Sequence, residues 1–253
     1  MCLVLFAWKV HRDFPLVMAA NRDEFHARPT AAAGFWEDRP GILAGRDLEG
    51  MGTWLGVTRS ARFAAVTNYR DGSPPPAKAS SRGLLVSRFL EGGEAPAEFA
   101  ASVGAEGEAY RGFNLLAGDR DELWWVSNRG GDARTLAPGV YGLSNHLLDT
   151  PWPKVTGGKQ RLLDALELAP AVAPLLELLA DTTAAPEDEL PDTGVAPEQE
   201  RLLSAARIVS PAYGTRSSSA LVIGRDGSVR FAERAYGADG GELDTLRYEF
   251  MSG

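Results

Sequence analysis

The single cysteine among 253 residues is Cys2. Removal of Met1 would leave a thiol and a free α-amine on that one residue, and initiator methionine is generally removed before a residue as small as Cys. An unperturbed terminal amine has a pKa of about 7.7–8.0 and a free thiol of about 8.5. The amine can therefore take the thiol proton near neutral pH, directly or through a water, and no histidine is needed. A cysteine at position two can also be an accident, so its surroundings decide. Asn21-Arg22-Asp23-Glu24 closes the apolar run Leu16-Val17-Met18-Ala19-Ala20. A hairpin between residues 2–10 and this run brings the polar cluster towards Cys2, and strand ends are common places for active-site groups.

Composition narrows the alternatives. Lys and Arg number 26 against 34 Asp and Glu, a net charge of −8, and no basic run occurs, so nucleic acid is not an expected partner. One cysteine excludes an internal disulfide and a multi-cysteine zinc site. His11, His26 and His146 share no metal-ligand spacing, and no metal is expected. No apolar run approaches the length of a membrane span. Lys9, His11, Arg12 and Asp13 interrupt the first hydrophobic stretch, unlike a signal peptide. These features predict a cytoplasmic protein without stable membrane insertion; its oligomeric state is not legible. The length and the 44% hydrophobic content suit one folded domain over 1–253.

The elements that must hold these residues follow in order. Residues 2–10 and 16–21 read as strands buried on both faces, because apolar side chains occupy both parities. Residues 25–41, with Pro29, Gly34, Pro40 and Gly41, read as a long loop in which Phe35 and Trp36 either cover a pocket or anchor local packing. Residues 42–47, 50–57 and 62–69 read as three more strands, and Gly45, Gly50, Gly52 and Gly56 mark turns or close backbone approach. A turn at 71–73 leads into a stiff Pro74-Pro75-Pro76 segment. Next come a helix capped by Ser80 or Ser81, a short helix near 97–102, a hairpin over 113–118 and 123–128, and a strand over 139–145. Residues 152–181 turn helical, 182–197 form a solvated loop, and a helix follows at 198–208. The chain ends in a hairpin over 217–223 and 228–235 and a short strand at 248–251. Strands in runs, without regular strand–helix alternation, predict an α+β fold of two mainly antiparallel sheets with helices outside them.

Asn21-Arg22-Asp23-Glu24 is also the signature for which the NRDE, or transport and Golgi organisation, family is named. The chain resembles that family along its whole length, through Cys2, the tetrapeptide, Gly45-Arg46-Asp47, Gly52-Thr53-Trp54-Leu55-Gly56, Thr67-Asn68-Tyr69-Arg70, Leu143-Ser144-Asn145 and Gly214-Thr215-Arg216. Met51 departs from it, standing where the family more often has glycine. The family in turn resembles N-terminal nucleophile hydrolases of the cysteine type, such as choloylglycine hydrolases and penicillin V acylases. That resemblance implies a four-layer α-β-β-α sandwich with Cys2 as nucleophile. It implies that Asp23 holds the terminal amine, that Asn68 helps bind the oxyanion, and that Asn145 lies beside the nucleophile. Arg216 matches an arginine late in those chains, and Asn21, Arg22 and Tyr69 fall in the supporting or substrate-binding set. Arg22 is expected to pair with Asp23, Glu24 or Asp47; Arg46 and Asp47 to pair with each other or with the tetrapeptide; and His146 to lie at the surface or on a pocket wall.

Two functions follow. The first is an amidohydrolase or thioesterase-like hydrolase that cuts an acyl amide, ester or thioester without a cofactor. The second is a non-catalytic carrier on the same scaffold, binding haem or a lipid or acyl-CoA. The family's connection with haem trafficking and lipid metabolism implies that alternative.

Overall fold

The computed structural model describes residues 2–72 and 79–253; Met1 and the proline segment at 74–76 lie outside the described residues. Strands β1 (Cys2–Trp8) and β2 (Leu16–Phe25) pair antiparallel, with Cys2 opposite Arg22 and Val4 opposite Ala20. Their two apolar faces are both covered. Val4, Phe6 and Trp8 join Leu16, Met18 and Ala20 in a core between two sheets. Leu3, Leu5 and Ala7 join Val17 and Ala19 under a helical layer.

The chain continues through β3 (Thr30–Phe35), β4 (Ile42–Asp47), β5 (Leu55–Thr58), β6 (Phe63–Asn68), α1 (Gly83–Glu91) and α2 (Pro96–Ala105). There follow β7 (Phe113–Gly118), β8 (Leu123–Ser127), β9 (Arg134–Thr135), β10 (Gly139–Leu143), α3 (Pro153–Leu166), α4 (Ala173–Glu177) and α5 (Pro197–Ser204). The last elements are β11 (Tyr213–Ile223), β12 (Ser228–Tyr236) and β13 (Glu242–Met251). One sheet runs β10-β1-β2-β11-β12-β13 and the other β3-β4-β5-β6-β7-β8-β9, with every recorded strand pairing antiparallel. Helices α3 and α4 cover the outside of the first sheet with Val155, Leu162, Leu175 and Leu176. Helices α1 and α2 cover the outside of the second with Leu85, Phe89, Phe99 and Val103. The result is the expected α-β-β-α order of layers.

Three departures from expectation have physical causes. The stretch read as a loop over 25–41 holds the end of β2 and all of β3, which a bulge between Ala31 and Gly34 disguises. Phe35 and Trp36 are packing anchors: Phe35 meets Tyr248 and Phe250, and Trp36 is buried in the outer core. The final strand is longer than four residues, because β13 pairs along most of β12. Its charged, exposed side chains suit a sheet edge and hide the strand from an apolar pattern.

The loop from β4 to β5 sets one wall of the site. A Cβ on Gly52 would stand 2.5 Å from the Gly83 carbonyl carbon, so only glycine admits this contact with the start of α1. Met51 adopts φ 57°, a conformation glycine takes at lower cost. No helix among the described residues is long and apolar enough to cross a membrane.

Candidate active site

Side-chain alternation along β1 and β2 determines what faces the gap between the sheets. Cys2 shares the parity of Val4 and Phe6, so it lies on the inner face at the strand end, where the apolar core gives way to a cavity of about 690 Å³. Cys2, Arg22, Asp23, Glu24 and Asn68 all line that cavity. Cys2 is 6% exposed. Burial pushes its thiol up from the ordinary value, the charge of Asp23 adds to this, and the Arg22 guanidinium and the Asp23 backbone pull the other way.

Asp23 is buried, and Thr215 Oγ1 donates to its Oδ1 at 2.7 Å. The same Thr215 oxygen accepts the Ile208 N–H at 2.8 Å, which fixes its orientation. Burial raises the Asp23 carboxyl above its usual range, opposed by the positive charge of Lys154, the Thr215 hydrogen bond and Arg22. Lys154 had no place in the sequence reading. It sits in the first turn of α3, almost fully buried, with Nζ donating to the Leu203 carbonyl at 2.7 Å. Burial lowers its pKa to about 8, against the attraction of Asp23 and Cys2. One signal for it was available: Lys154 lies on the stripe of Gly158, Leu162 and Ala165 at helical spacing, so a charge stands on a core-facing position.

The supporting residues divide. Asn21 turns to the outer face, away from the cavity, where Nδ2 donates to the Leu179 and Ala206 carbonyls at 3.0 and 2.8 Å and Oδ1 accepts from Ser218. Arg22 faces the cavity, its nearest acidic partner being Glu24 at 3.9 Å. Asn68 lines the cavity at the end of β6, and its carboxamide makes no hydrogen bond among the described residues. Asn145 is fully buried and does not line the cavity. Its Nδ2 donates to the Asn68 backbone carbonyl at 3.1 Å and its Oδ1 accepts from Ser144, so it holds Asn68 from behind. Ser144 Oγ also donates to the Cys2 carbonyl at 3.3 Å, which ties the end of β10 to the start of β1.

Tyr69 points off the cavity, its hydroxyl 2.8 Å from His146 Nε2. His146 is therefore not on the wall of this pocket; its Nδ1 meets Thr150 Oγ1 at 2.9 Å, and burial lowers its pKa. Arg216 is the extra residue of a bulge between Thr215 and Ser217. It lines the cavity while Nη1 donates to the carbonyls of Phe25, His26 and Arg28, bracing the turn after β2. Arg46 and Asp47 do not pair with each other. Neighbouring strand residues point to opposite faces, and Arg46 takes Asp38 while Asp47 takes Arg28. Among the described residues no group of three His, Cys, Asp or Glu side chains could hold a metal.

In chemical terms, a lone sulfur faces a cavity beside a buried carboxylate held by a hydroxyl and attracted by the charge of a lysine, with an unengaged carboxamide on the opposite sheet. Residues 1–238 match the family described as Transport and Golgi organisation 2. The chain is 37% identical over 274 residues to the Transport and Golgi organization protein 2 homolog of Bos taurus, covering 99% of each chain. It is 37% identical over 273 residues to the homolog of Homo sapiens, again covering 99% of each. Among solved structures, the Caenorhabditis elegans ortholog of N-acylethanolamine-hydrolyzing acid amidase superposes with a TM-score of 0.50 at 10% identity, covering 87% of this chain and 92% of that one. At that identity the likeness shows the fold alone, the arrangement of two antiparallel sheets between helical layers.

Proposed function

The chain belongs to the Transport and Golgi organisation 2 family, and we propose that it is an N-terminal cysteine hydrolase acting on an acyl amide, ester or thioester. The observation that carries this is the convergence of Cys2, Asp23 and Asn68 on one cavity from three strands and both sheets. Removal of Met1 frees the Cys2 amine, and that amine takes the thiol proton. The thiolate attacks the carbonyl carbon, and the Asn68 carboxamide donates to the resulting oxyanion; such a donor is worth about 3 kcal/mol in comparable sites. The tetrahedral species collapses as the ammonium returns the proton to the leaving amine, alcohol or thiol, and a thioester remains on Cys2. Water then releases the acid by the same exchange of proton and acyl group. Asp23, held by Thr215 and opposite Lys154, orients the amine and sets its basicity. Asn145 acts as a positioning residue through the Asn68 carbonyl.

The experiment is intact mass spectrometry of purified protein, first alone and then with p-nitrophenyl hexanoate. Loss of Met1 and a hexanoyl adduct that disappears in Cys2→Ala are the expected results. Turnover that survives Cys2→Ala ends the proposal. One observation favours a carrier instead: burial disfavours the Cys2 thiolate. Saturable binding of an acyl probe or of haem, with no adduct and no product from a chain beginning at Cys2, supports that second function. Within the described residues His11, His26 and His146 all lie off the cavity wall, so haem there would depend on Cys2 as its ligand.

A further inference from the structure

The cavity is unlike the molecule around it. In a chain of net charge −8, six arginines line one cleft: Arg22, Arg28, Arg46, Arg82, Arg111 and Arg216. Three are already occupied. Arg28 binds Asp47 through Nε and Nη2 and Glu49 through Nη1. Arg46 forms a two-point pair with Asp38. Arg216 spends Nη1 on three backbone carbonyls.

The other three differ. Arg82, immediately before α1, gives Nη1 to the Gly112 carbonyl at 3.0 Å and has no ion pair among the described residues. It lies within electrostatic reach of Cys2 and is repelled by Arg111. Arg111 is exposed and has neither an ion pair nor a side-chain hydrogen bond among the described residues. Arg22 has a side chain only 8% exposed, and its Nη1 is buried without a hydrogen-bond partner. A buried guanidinium donor left unsatisfied is costly. The acids on the wall offset these charges only in part: Thr215 engages Asp23, Glu233 accepts from the Ala33 N–H at 2.7 Å, and Glu24 is shared, 3.9 Å from both Arg22 and Arg28 and attracting Arg82 from further off.

We propose that Arg22, Arg82 and Arg111 form an oxoanion subsite beside Cys2, and that the acyl compound taken there carries a carboxylate or phosphate near its scissile bond. The proposal rests on the hydrolase function, since it names the substrate class of that site. Guanidinium groups suit either anion because their planar donors meet two oxygens at once. A neutral acyl amide leaves Arg82 and Arg111 without an ion pair and Arg22 with only the distant Glu24 carboxylate.

The test separates binding from catalysis by using Cys2→Ala. Calorimetry compares N-hexanoylglycine with neutral N-hexanoylglycinamide, and N-hexanoyl-O-phosphoethanolamine with neutral N-hexanoylethanolamine. At least one anion is expected to bind about tenfold or more tighter than its neutral partner, and the pair that shows the margin distinguishes carboxylate from phosphate. Arg82→Gln and Arg111→Gln, each added alone, are expected to cut that margin about fivefold and leave the neutral probes unchanged. The Arg111 side chain is exposed and makes no ion pair or hydrogen bond among the described residues, so its variant remains informative if Arg82→Gln is unstable. Equal affinity within both pairs, no detectable binding of either anion, or a margin untouched by the variants overturns the subsite. Failure of the hydrolase function is read separately, as absence of an acyl adduct on the wild type.

Discussion

At the scale of single residues, the chemistry turns on one sulfur whose surroundings oppose its ionisation. Burial and the Asp23 charge raise the Cys2 thiol, and Arg22 only partly compensates. With Met1 in place, the α-nitrogen of Cys2 is an amide and cannot accept the proton. Once the chain begins at Cys2, that nitrogen is a base on the same residue. Iodoacetamide should therefore alkylate the processed form about tenfold faster than a form retaining Met1 at neutral pH, and the increase of its rate with pH should set in at a lower pH. Intact mass against time at several pH values measures this, and equal rates in the two forms would show that the amine does not activate the thiol. The residues brought to the cavity by β1, β2 and β6 were legible because each belongs to a short motif. Lys154 belongs to no motif: α3 carries it across the sheet from more than a hundred residues away, and only its place on the core-facing stripe of that helix marked it.

At the scale of elements, the tetrapeptide that looked like one polar cluster is two half-sites facing opposite ways. Alternation sends Arg22 and Glu24 into the gap between sheets, while Asn21 takes the outer face with Val17 and Ala19. Asp23 shares the parity of Asn21 and reaches both the cavity rim and Thr215, because the bulge at Arg216 keeps Thr215 opposite it. Asn21 is thus a rivet between β2, the segment after α4 and the segment before β11. Asn21→Ala strands two carbonyls in a fully buried setting and leaves the Ser218 hydroxyl with only Tyr236, at a cost of about 2–3 kcal/mol. Urea denaturation should show that loss, while the affinity of the folded fraction for acyl probes stays unchanged. A weakened affinity with unchanged stability would instead make Asn21 a ligand contact. No sequence pattern distinguishes these roles, since both require a buried carboxamide at a strand end.

At the scale of the molecule, the cavity exists because the two sheets part at one end, and something must keep their separation fixed. Ala33 does so from the bulge in β3, where its backbone is turned away from β4. Its N–H donates to Glu233 of β12 at 2.7 Å, and its carbonyl accepts from Tyr248 of β13 at 2.8 Å. One residue thus links the sheets through both of its backbone groups, which the alternation of either strand alone could not reveal. Burial raises the Glu233 carboxyl above its usual range, with the Ala33 N–H, Ser217 and Arg22 opposing. Between the ordinary value and the raised one, the folded protein keeps a proton that the unfolded chain has lost. Stability therefore falls as pH climbs through that window, and the full penalty is present above the raised value. Glu233→Gln keeps an oxygen for the Ala33 N–H but has no proton to lose. Its urea midpoint should fall less between about pH 5 and about pH 8 than that of the wild type, with Asp23 contributing equally to both. An identical pH dependence in the two proteins would mean that Glu233 is ionised throughout, and that the link between the sheets does not feel its burial.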